Sequence, residues 1–314
     1  MGAVGEFLGT VVLVVPDDDP KTWQDFRAIA ASIRDHGMRA HLVRHRRHEQ
    51  LALLPLWLTP TVSISISGRT DRKLLPGRFL SGLEHSKVDE YRTLQAAGAP
   101  VPRWTELAPD TRLDPGEWGP YVIEKPSAGW LGANIRVRKT EKVRFTPPSS
   151  YERGHYGRHG PMIVQKFVYT GEWPVSYRVV TVFGEVVLCY RQVTQRGTPL
   201  KTRWGFDAGG TAVISNTKAM RIELDANAEI MEAARRAHIR AFPDVPLLQF
   251  DIGKDVETGE LAIFECHPFA PLWPFSHGMA ISAQASNAVD FDSQFEAMTT
   301  IGRSIAKKAA QILH

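Results

Sequence analysis

Two carboxylates that end apolar segments are the residues of this chain best suited to chemistry. Asp251 follows the run 247–250 and Glu265 follows the run 261–264, and both runs are mostly apolar. Burying a carboxylate in an apolar strand costs free energy unless it meets a cation. Two such carboxylates on adjacent strands of a hairpin can face the same side, where their oxygen atoms would hold Mg²⁺. The alternative is that both are exposed charges at strand ends, and the pattern alone leaves this open.

A lysine that ends another apolar segment is the second candidate. Lys125 follows residues 121–124 and precedes a segment that contains Gly129 and Gly132. A lysine ammonium group pairs with phosphate oxygens, and glycines let backbone N–H groups approach those oxygens closely. The pattern therefore favours a polyphosphate ligand, with an ordinary surface lysine beside a turn as the alternative.

The N-terminal part of the chain alternates strands with a helix. Its apolar, β-branched runs are typical of strands that are buried on both faces of a parallel sheet, and apolar residues at helical spacing follow the first run. The predicted elements are strands at 10–15, 38–43 and 61–66 and a helix at 20–36. They indicate a small open α/β unit that ends near Gly77.

The rest of the chain changes to antiparallel character, so the predicted fold class is α/β with an α+β C-terminal part. The middle section contains a helix predicted at 86–97 and strands predicted at 121–124, 134–138 and 162–167. The C-terminal section contains strands predicted at 175–183, 186–193, 247–252 and 261–266 and helices predicted at 226–242 and 292–313. Segments 146–160 and 198–210 are polar and are predicted to be loops.

In order and content these segments resemble the ATP-grasp superfamily over more than half of the chain. The segments that carry the resemblance are 85–102 (HSKVDEYRTLQAAGAPVP), 121–132 (YVIEKPSAGWLG), 164–172 (VQKFVYTGE), 176–187 (SYRVVTVFGEVV) with Arg191 beyond it, and the pair 250–251 (FD) and 264–268 (FECHP). The resemblance implies an ATP-grasp fold preceded by an open α/β domain. The domains expected from it are residues 1–82, a small lid subdomain at 83–168 and a C-terminal subdomain at 169–314.

The resemblance also implies roles for residues at matching positions. For ATP, Lys87 and Lys125 would contact the phosphates, and the loop with Gly129 and Gly132 would cover them. The residues expected at the adenosine are Gln165 and Val168 for the adenine and Glu172 for the ribose. The residues expected to stabilise the transferred phosphate or a substrate carboxylate are Arg178 and Arg191, together with Lys125.

The implied metal ligands are Asp251, Glu265 and His267. The family usually has Asn where this chain has His267, and imidazole nitrogen suits Mn²⁺ better than Mg²⁺. The expected cofactors are therefore ATP and Mg²⁺, with Mn²⁺ as an alternative. A second departure is Ser176, because the family often has an acidic residue two positions before the arginine of its hairpin.

The function implied is that of an ADP-forming carboxylate–amine ligase, which makes an amide or peptide bond on a small molecule or peptide through an acylphosphate. The alternatives are an ATP-grasp enzyme with a non-amine acceptor and a nucleotide-binding module without ligase activity, which His267 motivates. The residues expected near the acceptor substrate are Arg203, Trp204, Trp273 and His277, and ordinary core packing is the alternative for the aromatic ones.

Composition and charge argue against several other classes of protein. The chain has 314 residues, 43% of them hydrophobic, a net charge of +4 and two cysteines, which favours a globular cytoplasmic protein without a disulfide framework. No apolar run approaches the roughly 18 residues of a membrane span. The basic run at 41–48 lacks the interleaved aromatic residues of a nucleic-acid-binding surface. Cys266 is predicted to be an inert core thiol. Homodimers are common in the family, so a homodimer is an open expectation.

Overall fold

The computed structural model of the protein describes residues 7–16, 20–44, 53–68, 75–129, 132–194 and 220–314. Within these ranges the chain forms three β-sheets and six α-helices.

The first sheet is parallel and has the strand order β2-β1-β3-β4. Its strands are β1 (Thr10–Val15), β2 (Arg39–Arg44), β3 (Thr61–Ser65) and β4 (Arg78–Leu80). Every residue of β1 and β3 is buried, as expected for central strands that are covered on both faces. Helix α1 (Trp23–Asp35) covers one face through the apolar residues Phe26, Ile29 and Ile33.

The second sheet is antiparallel and has the order β5-β8-β6-β7. Its strands are β5 (Trp104–Glu106), β6 (Tyr121–Pro126), β7 (Arg136–Lys139) and β8 (Met162–Lys166). Helix α2 (Lys87–Ala96) precedes this sheet, and the short helix α3 (Pro115–Trp118) lies between β5 and β6.

The third sheet is also antiparallel and has the order β11-β10-β9-β12-β13. Its strands are β9 (Val175–Val182), β10 (Glu185–Thr194), β11 (Met220–Leu224), β12 (Leu247–Lys254) and β13 (Leu261–His267). The remaining helices are α4 (Ala228–Ala241), α5 (Gly278–Asn287) and α6 (Ala297–Leu313).

The C-terminal helix α6 joins the first sheet to the third. Gly302 lies so close to α1 that an added Cβ would stand 2.4 Å from the Cβ of Ser32, and Ser32 Oγ donates a hydrogen bond of 2.9 Å to the carbonyl of Thr299. On its other side, Ser304 Oγ donates to the carbonyl of Val182 in β9 at 2.9 Å. One apolar cluster therefore runs from the first sheet through α6 to one face of the third sheet.

The opposite face of the third sheet packs against α2 and α4. This second cluster contains Leu94 from α2, Ala234 from α4 and Val179 and Phe250 from the sheet. The helix that precedes the second sheet is thus packed onto the third sheet, and this packing brings the two antiparallel sheets to either side of a common cavity.

The predicted fold class is confirmed, and the differences lie in short or irregular elements. The final helix, predicted at 292–313, begins with a separate 3₁₀ turn (Asp292–Gln294) because Glu296 has a left-handed backbone conformation with φ of +47°. Helix α5 was not predicted, since it lacks the charged residues and the apolar spacing of an amphipathic helix. In the described ranges no helix is long and apolar enough to cross a membrane.

A buried histidine on α4 should make stability depend on pH. His238 is fully buried; its Nε2 donates to the carbonyl of Val245 at 2.8 Å, and its Nδ1 lies 2.7 Å from Thr181 Oγ1. A carbonyl can only accept, so the neutral ring with its proton on Nε2 fits this site. Burial lowers the pKa of His238 to about 4, below the value of 6.5 that applies when the chain unfolds.

We therefore expect the protein to lose stability as the pH falls from 6.5 towards 4, because the unfolded chain then binds the proton more readily. At pH 5 the loss from His238 should be about 2 kcal/mol relative to pH 7. Urea unfolding of the native protein and of His238→Gln at both pH values checks this, with exposed His159→Gln as the control. Equal pH dependence in the native and His238→Gln proteins would contradict it.

Candidate active site

A row of polar side chains crosses one face of the third sheet. Strand pairing places Glu265 opposite Asp251, Asp251 opposite Arg178, and Arg178 opposite Tyr190. Cross-strand partners point to the same face, so two carboxylates and a guanidinium group meet there. Arg178 Nε lies 3.3 Å from Asp251 Oδ1. This neighbour helps to raise the pKa of Arg178 against the opposing effect of burial, so the guanidinium stays charged.

The three predicted metal ligands lie together at the edge of this row. One ligand atom from each of Asp251, Glu265 and His267 can be chosen so that all three lie within 4.8 Å of one another. His267 Nε2 is 3.6 Å from Glu265 Oε2. Two carboxylates and one imidazole at this spacing match the ligands of a divalent cation such as Mn²⁺ or Mg²⁺.

Lys87, at the first position of α2, reaches across to β13 and forms an ion pair with Glu265 Oε1. The start of α2 is fixed in two ways. Ser86 Oγ accepts a hydrogen bond from the backbone N–H of Asp89 at 3.2 Å, and the backbone N–H of Lys87 donates to the carbonyl of Ser127 at 2.8 Å. The second bond ties α2 to the loop that follows Lys125.

Lys125 lies at the end of β6, is 4% exposed, and is held by the hydroxyl group of Tyr91. Lys125 Nζ donates to Tyr91 Oη at 2.8 Å and to the carbonyl of Phe264 at 3.2 Å. Tyr91 Oη also lies 2.7 Å from Gln165 Oε1 and from the Phe264 carbonyl, and its proton can go to either. Tyr91 thereby connects α2, β6, β8 and β13 at one point. Burial lowers the pKa of Lys125 to about 8, so the amine is still mostly charged at neutral pH.

A buried carboxyl group on α2 completes this cluster of charges. Glu90 lies one turn after Lys87, and its Oε1 accepts a hydrogen bond of 2.8 Å from the backbone N–H of Cys266. Burial, and then the charge of Glu265, raises the pKa of Glu90 to about 8. Glu90 is therefore mostly protonated at neutral pH. Its hydrogen bond to Cys266 fixes β13 between Glu265 and His267, two of the metal-ligand candidates, without adding a full negative charge.

A cavity of about 820 Å³ lies beside these residues, between the second and third sheets. The sequence-predicted residues on its wall come from both sheets and from the intervening loops. They are Lys87, Lys125, Gly129, Gly132, Gln165, Val168, Arg178, Asp251, Glu265 and His267. A cavity of this volume is large enough for a nucleotide, since ligand pockets commonly measure about 300–1,000 Å³.

Glu172 does not line the cavity. Its side chain is exposed, while Gln165 and Val168 before it are on the cavity wall. The wall also includes Thr170 before Glu172 and Pro174 after it, so the chain turns outward only locally at Glu172.

Arg191 lies on the opposite face of the sheet from Arg178, so the structure does not bring these two arginines together. Arg191 is paired with Tyr177, whereas Arg178 is paired with Tyr190. A β-bulge between Val186 and Leu188 shifts the pairing by one residue, and a shift of one residue reverses the face of every later side chain. Arg191 instead forms an ion pair with Glu223.

The predicted substrate residues that the structure describes are also away from the cavity wall. Trp273 is a core residue, 3% exposed, whose ring lies 5.2 Å from that of Phe275. This is the core packing that the sequence analysis gave as the alternative to a substrate role. His277 is the N-cap of α5, where its Nδ1 accepts from the backbone N–H of Met279 at 3.4 Å. Arg203 and Trp204 lie outside the described residues, as do His45 and His48 of the basic run.

The sequence analysis did not identify Glu90, Gln192 and Gln249, which line the cavity, or Tyr91, which holds Lys125 from behind the cavity wall. Gln249 could have been found, because it precedes Asp251 by two positions and shares its face of the strand. Glu90 and Tyr91 follow Lys87 at helical spacing, which places all three near one helix face. Gln192 could not be found, because the β-bulge decides its orientation.

Cys266 is a buried free thiol, as predicted. Burial, and then the charges of Glu90 and Glu265, raises its pKa well above the ordinary value. A thiol in this setting stays protonated and is a poor nucleophile.

Three solved structures are similar to this one over nearly their whole lengths. D-cycloserine synthetase DcsG has a TM-score of 0.55 at 11% identity and covers 96% of this chain and 100% of its own. The ligase PsnB, complexed with a minimal precursor, has a TM-score of 0.53 at 16% identity and covers 96% and 99%. D-alanine–D-alanine ligase from Bacillus anthracis has a TM-score of 0.50 at 12% identity and covers 95% and 98%.

At these identities the likeness shows a shared fold. No protein-family profile matches the sequence, and no curated protein is detectably similar to it in sequence.

The contact between Tyr91 and Lys125 gives a test of the role expected for Lys125, which is to bind the phosphates of ATP. Tyr91→Phe keeps the buried ring but removes the hydroxyl group that positions the ammonium group of Lys125. If Lys125 binds ATP phosphates, this variant should bind ATP about tenfold more weakly, because a hydrogen bond to a charged group is lost. Calorimetric titration with a non-hydrolysable ATP analogue measures this.

Tyr177→Phe is the matched control for that experiment. It also removes one tyrosine hydroxyl, which bonds to Asp225 at 3.1 Å on the opposite face of the third sheet. It should leave the affinity for the analogue unchanged. Equal affinities for Tyr91→Phe and Tyr177→Phe would contradict the role given to Tyr91.

Proposed function

Because the chain has an ATP-grasp fold, we propose that it is an ATP-dependent ligase that joins a carboxylate to an amine and releases ADP and phosphate. The observation that carries this proposal is that positively charged side chains and candidate metal ligands line the same cavity. Two lysines from different elements, Lys87 and Lys125, face a set of carboxylate and imidazole ligands, with Arg178 beside them.

ATP would lie between the second and third sheets. We assign Lys87 and Lys125 to its phosphates, since each supplies a positive charge at the cavity wall. Gly129 and Gly132 have φ values of +148° and +70°, and both line the cavity. Glycine adopts these backbone conformations readily. Because it has no Cβ, the backbone at these positions can approach phosphate oxygens closely. Gln165 and Val168 are assigned to the adenine, and Glu172 is left at the rim.

The metal would be held by Asp251, Glu265 and His267, whose arrangement fits a divalent ion. When bound, such an ion neutralises phosphate charge and polarises the transferred phosphoryl group. The nitrogen ligand of His267 is the reason to include Mn²⁺ beside Mg²⁺. Glu265 is also the partner of Lys87, so nucleotide and metal binding would rearrange this ion pair.

The reaction would proceed in two displacement steps. In the first, a carboxylate oxygen of the substrate attacks the γ-phosphorus of ATP, the bond from that phosphorus to the β-bridging oxygen breaks, and ADP leaves. In the second, the lone pair of an amine attacks the acyl carbon, the bond to the phosphate oxygen breaks, and phosphate leaves as the nitrogen loses a proton. Arg178 would balance the negative charge on the transferred group, which is the main demand of phosphoryl transfer.

A nucleotide-binding module without ligase activity is the second candidate. Two observations favour it: His267 replaces the amide oxygen usual in the family, and the neutral Gln192 occupies the cavity-facing position that Arg191 was expected to fill. A non-amine acceptor is a further alternative within the enzyme class, since no described residue identifies the amine.

The proposed reaction predicts ADP formation that requires a divalent ion, a carboxylate and an amine together. We expect Glu265→Gln to reduce turnover by at least about a hundredfold. The variant also leaves Lys87 without its carboxylate partner, so turnover is compared at a temperature at which circular dichroism shows the native fold for both proteins. A coupled assay for ADP over a panel of carboxylates and amines measures this. If ATP binds but no ADP forms across the panel, the protein is the binding module instead.

The two faces of the third sheet give a matched pair of variants. Arg178→Lys should lower kcat by about a hundredfold, because lysine lacks the planar fork of guanidinium donors. Arg191→Lys should leave kcat unchanged, since its side chain faces away from the cavity. Comparable losses in both variants would show that Arg178 has no special role in catalysis.

A further inference from the structure

Two large apolar side chains stand half-exposed at the rim of the cavity. Leu83 is 54% exposed and Phe269 is 51% exposed, and both line the cavity. Leu83 belongs to the segment between β4 and α2, whereas Phe269 follows β13. Single exposed apolar residues are common on protein surfaces, so the two are informative only if they lie close together.

Close backbone contacts hold these two segments against each other. The backbone N–H of Gly82 donates to the carbonyl of Gly68 at 3.2 Å, and a Cβ added to Gly82 would stand 2.7 Å from the Cβ of Pro268. A glycine allows backbone to approach a neighbour this closely. Leu83 and Phe269 directly follow the two residues in contact, so they lie on adjoining parts of the rim.

The cavity wall inside this rim is apolar as well. Its residues here are Phe242, Val245, Leu248 and Pro268. The strand register shows how two of them meet. Gln249 is opposite His267, so the residues one step further, Leu248 and Pro268, are neighbours across the end of β13. We call the part of the cavity formed by these four residues together with Leu83 and Phe269 the apolar lobe.

The apolar lobe begins where the candidate metal ligands end. His267 is the last residue of β13, and the apolar wall starts at the next residue along the chain. On the other side, the ring of His85 lies 5.4 Å from that of Phe242, and Lys87, two residues later, is paired with Glu265. A ligand bound at the metal-ligand candidates can therefore extend directly into the lobe.

The chemistry of the lobe favours an apolar group. The side chains of its six residues contain no nitrogen or oxygen atom, so a charged group placed among them would lose its hydration without gaining a partner. An aliphatic chain gains by leaving water. In the proposed reaction the carboxylate attacks a phosphorus atom beside the metal ion, so the chain attached to this carboxylate is the group that starts next to the lobe.

We propose that the apolar lobe binds the aliphatic chain of the carboxylate substrate, and that the substrate class is a monocarboxylate with an extended apolar chain. The proposal rests on the proposed function, since it names the class of carboxylate that the ligase would activate. It sets such a substrate apart from a short carboxylate and from one that carries an ammonium group at its far end.

Four small probes test the class of ligand. Full-length protein with Mg²⁺ and a non-hydrolysable ATP analogue is titrated with hexanoate, acetate, 6-aminohexanoate and hexylamine, and ligand-observed NMR gives the dissociation constants. We expect hexanoate to bind at least about tenfold more tightly than acetate, because it adds four CH₂ groups to the buried surface. It should exceed 6-aminohexanoate by a similar factor, because the ammonium group has no partner in the lobe.

Substitutions at the rim test which residues are responsible. Leu83→Ser and Phe269→Ser remove half-exposed side chains, so the fold should persist. Each should weaken the binding of hexanoate about threefold and leave the affinities for acetate and for the ATP analogue unchanged. Leu58→Ser is the matched control, because Leu58 is 93% exposed and is not among the residues that line the cavity. It should change none of these affinities.

A substitution inside the lobe tests its depth. Val245→Phe fills space behind the rim, so it should weaken the binding of hexanoate more than that of acetate. Circular dichroism checks that this variant has the native fold, and the two rim variants carry the test if it does not.

The outcomes separate this proposal from the ligase assignment. Equal affinities for hexanoate and acetate, or rim variants that behave like Leu58→Ser, overturn the lobe even if ADP formation is observed with other carboxylates. Weaker binding of the ATP analogue in the rim variants would also overturn it, because the lobe would then belong to the nucleotide. Tighter binding of hexylamine than of hexanoate would overturn the assignment to the carboxylate. A chain-length preference that the rim variants reduce supports the lobe even if no ADP forms, and the ligase proposal then fails alone.

Discussion

The ion pair between Lys87 and Glu265 joins the start of α2 to the edge of the third sheet, and the arrangement of the whole site depends on it. It brings a cation from the segment before the second sheet onto a carboxylate of the third sheet. Tyr91, one turn further along α2, extends the same connection to Lys125 and β8. The apolar packing of α2 against the third sheet supports these contacts from behind.

The cost of burying so many charges is offset by pairing. Asp251 is paired with Arg178 and Glu265 with Lys87, while Glu90 mostly avoids ionisation at neutral pH because burial raises its pKa to about 8. A cluster of this kind is held by opposite charges that a nucleotide and a metal ion can also satisfy. The same groups that stabilise the cavity wall are thereby suited to bind polyphosphate and a divalent ion.

Both faces of the third sheet carry apolar support, but only one carries the site. That face has Arg178, Asp251, Gln192 and Gln249 at the cavity and, further along the strands, the apolar residues that pack towards α6. The other face carries the apolar residues that pack on α2 and α4. The β-bulge in β10 decides which side chain joins the cavity, placing neutral Gln192 there and Arg191 behind. One inserted residue thus sets the charge of this part of the cavity floor.

The sequence by itself determined the order of the elements, the ATP-grasp fold, and the five polar residues Lys87, Lys125, Asp251, Glu265 and His267 that the cavity brings together. These follow from local patterns, because a charge in an apolar strand and a glycine-containing turn can be recognised along the chain. Only the tertiary structure decided that Arg191 and Trp273 face away from the cavity and that Glu90 and Gln192 face it. The reason is physical: strand register, a bulge and helix packing are set by contacts between distant segments, and a shift of one residue reverses the face of a strand.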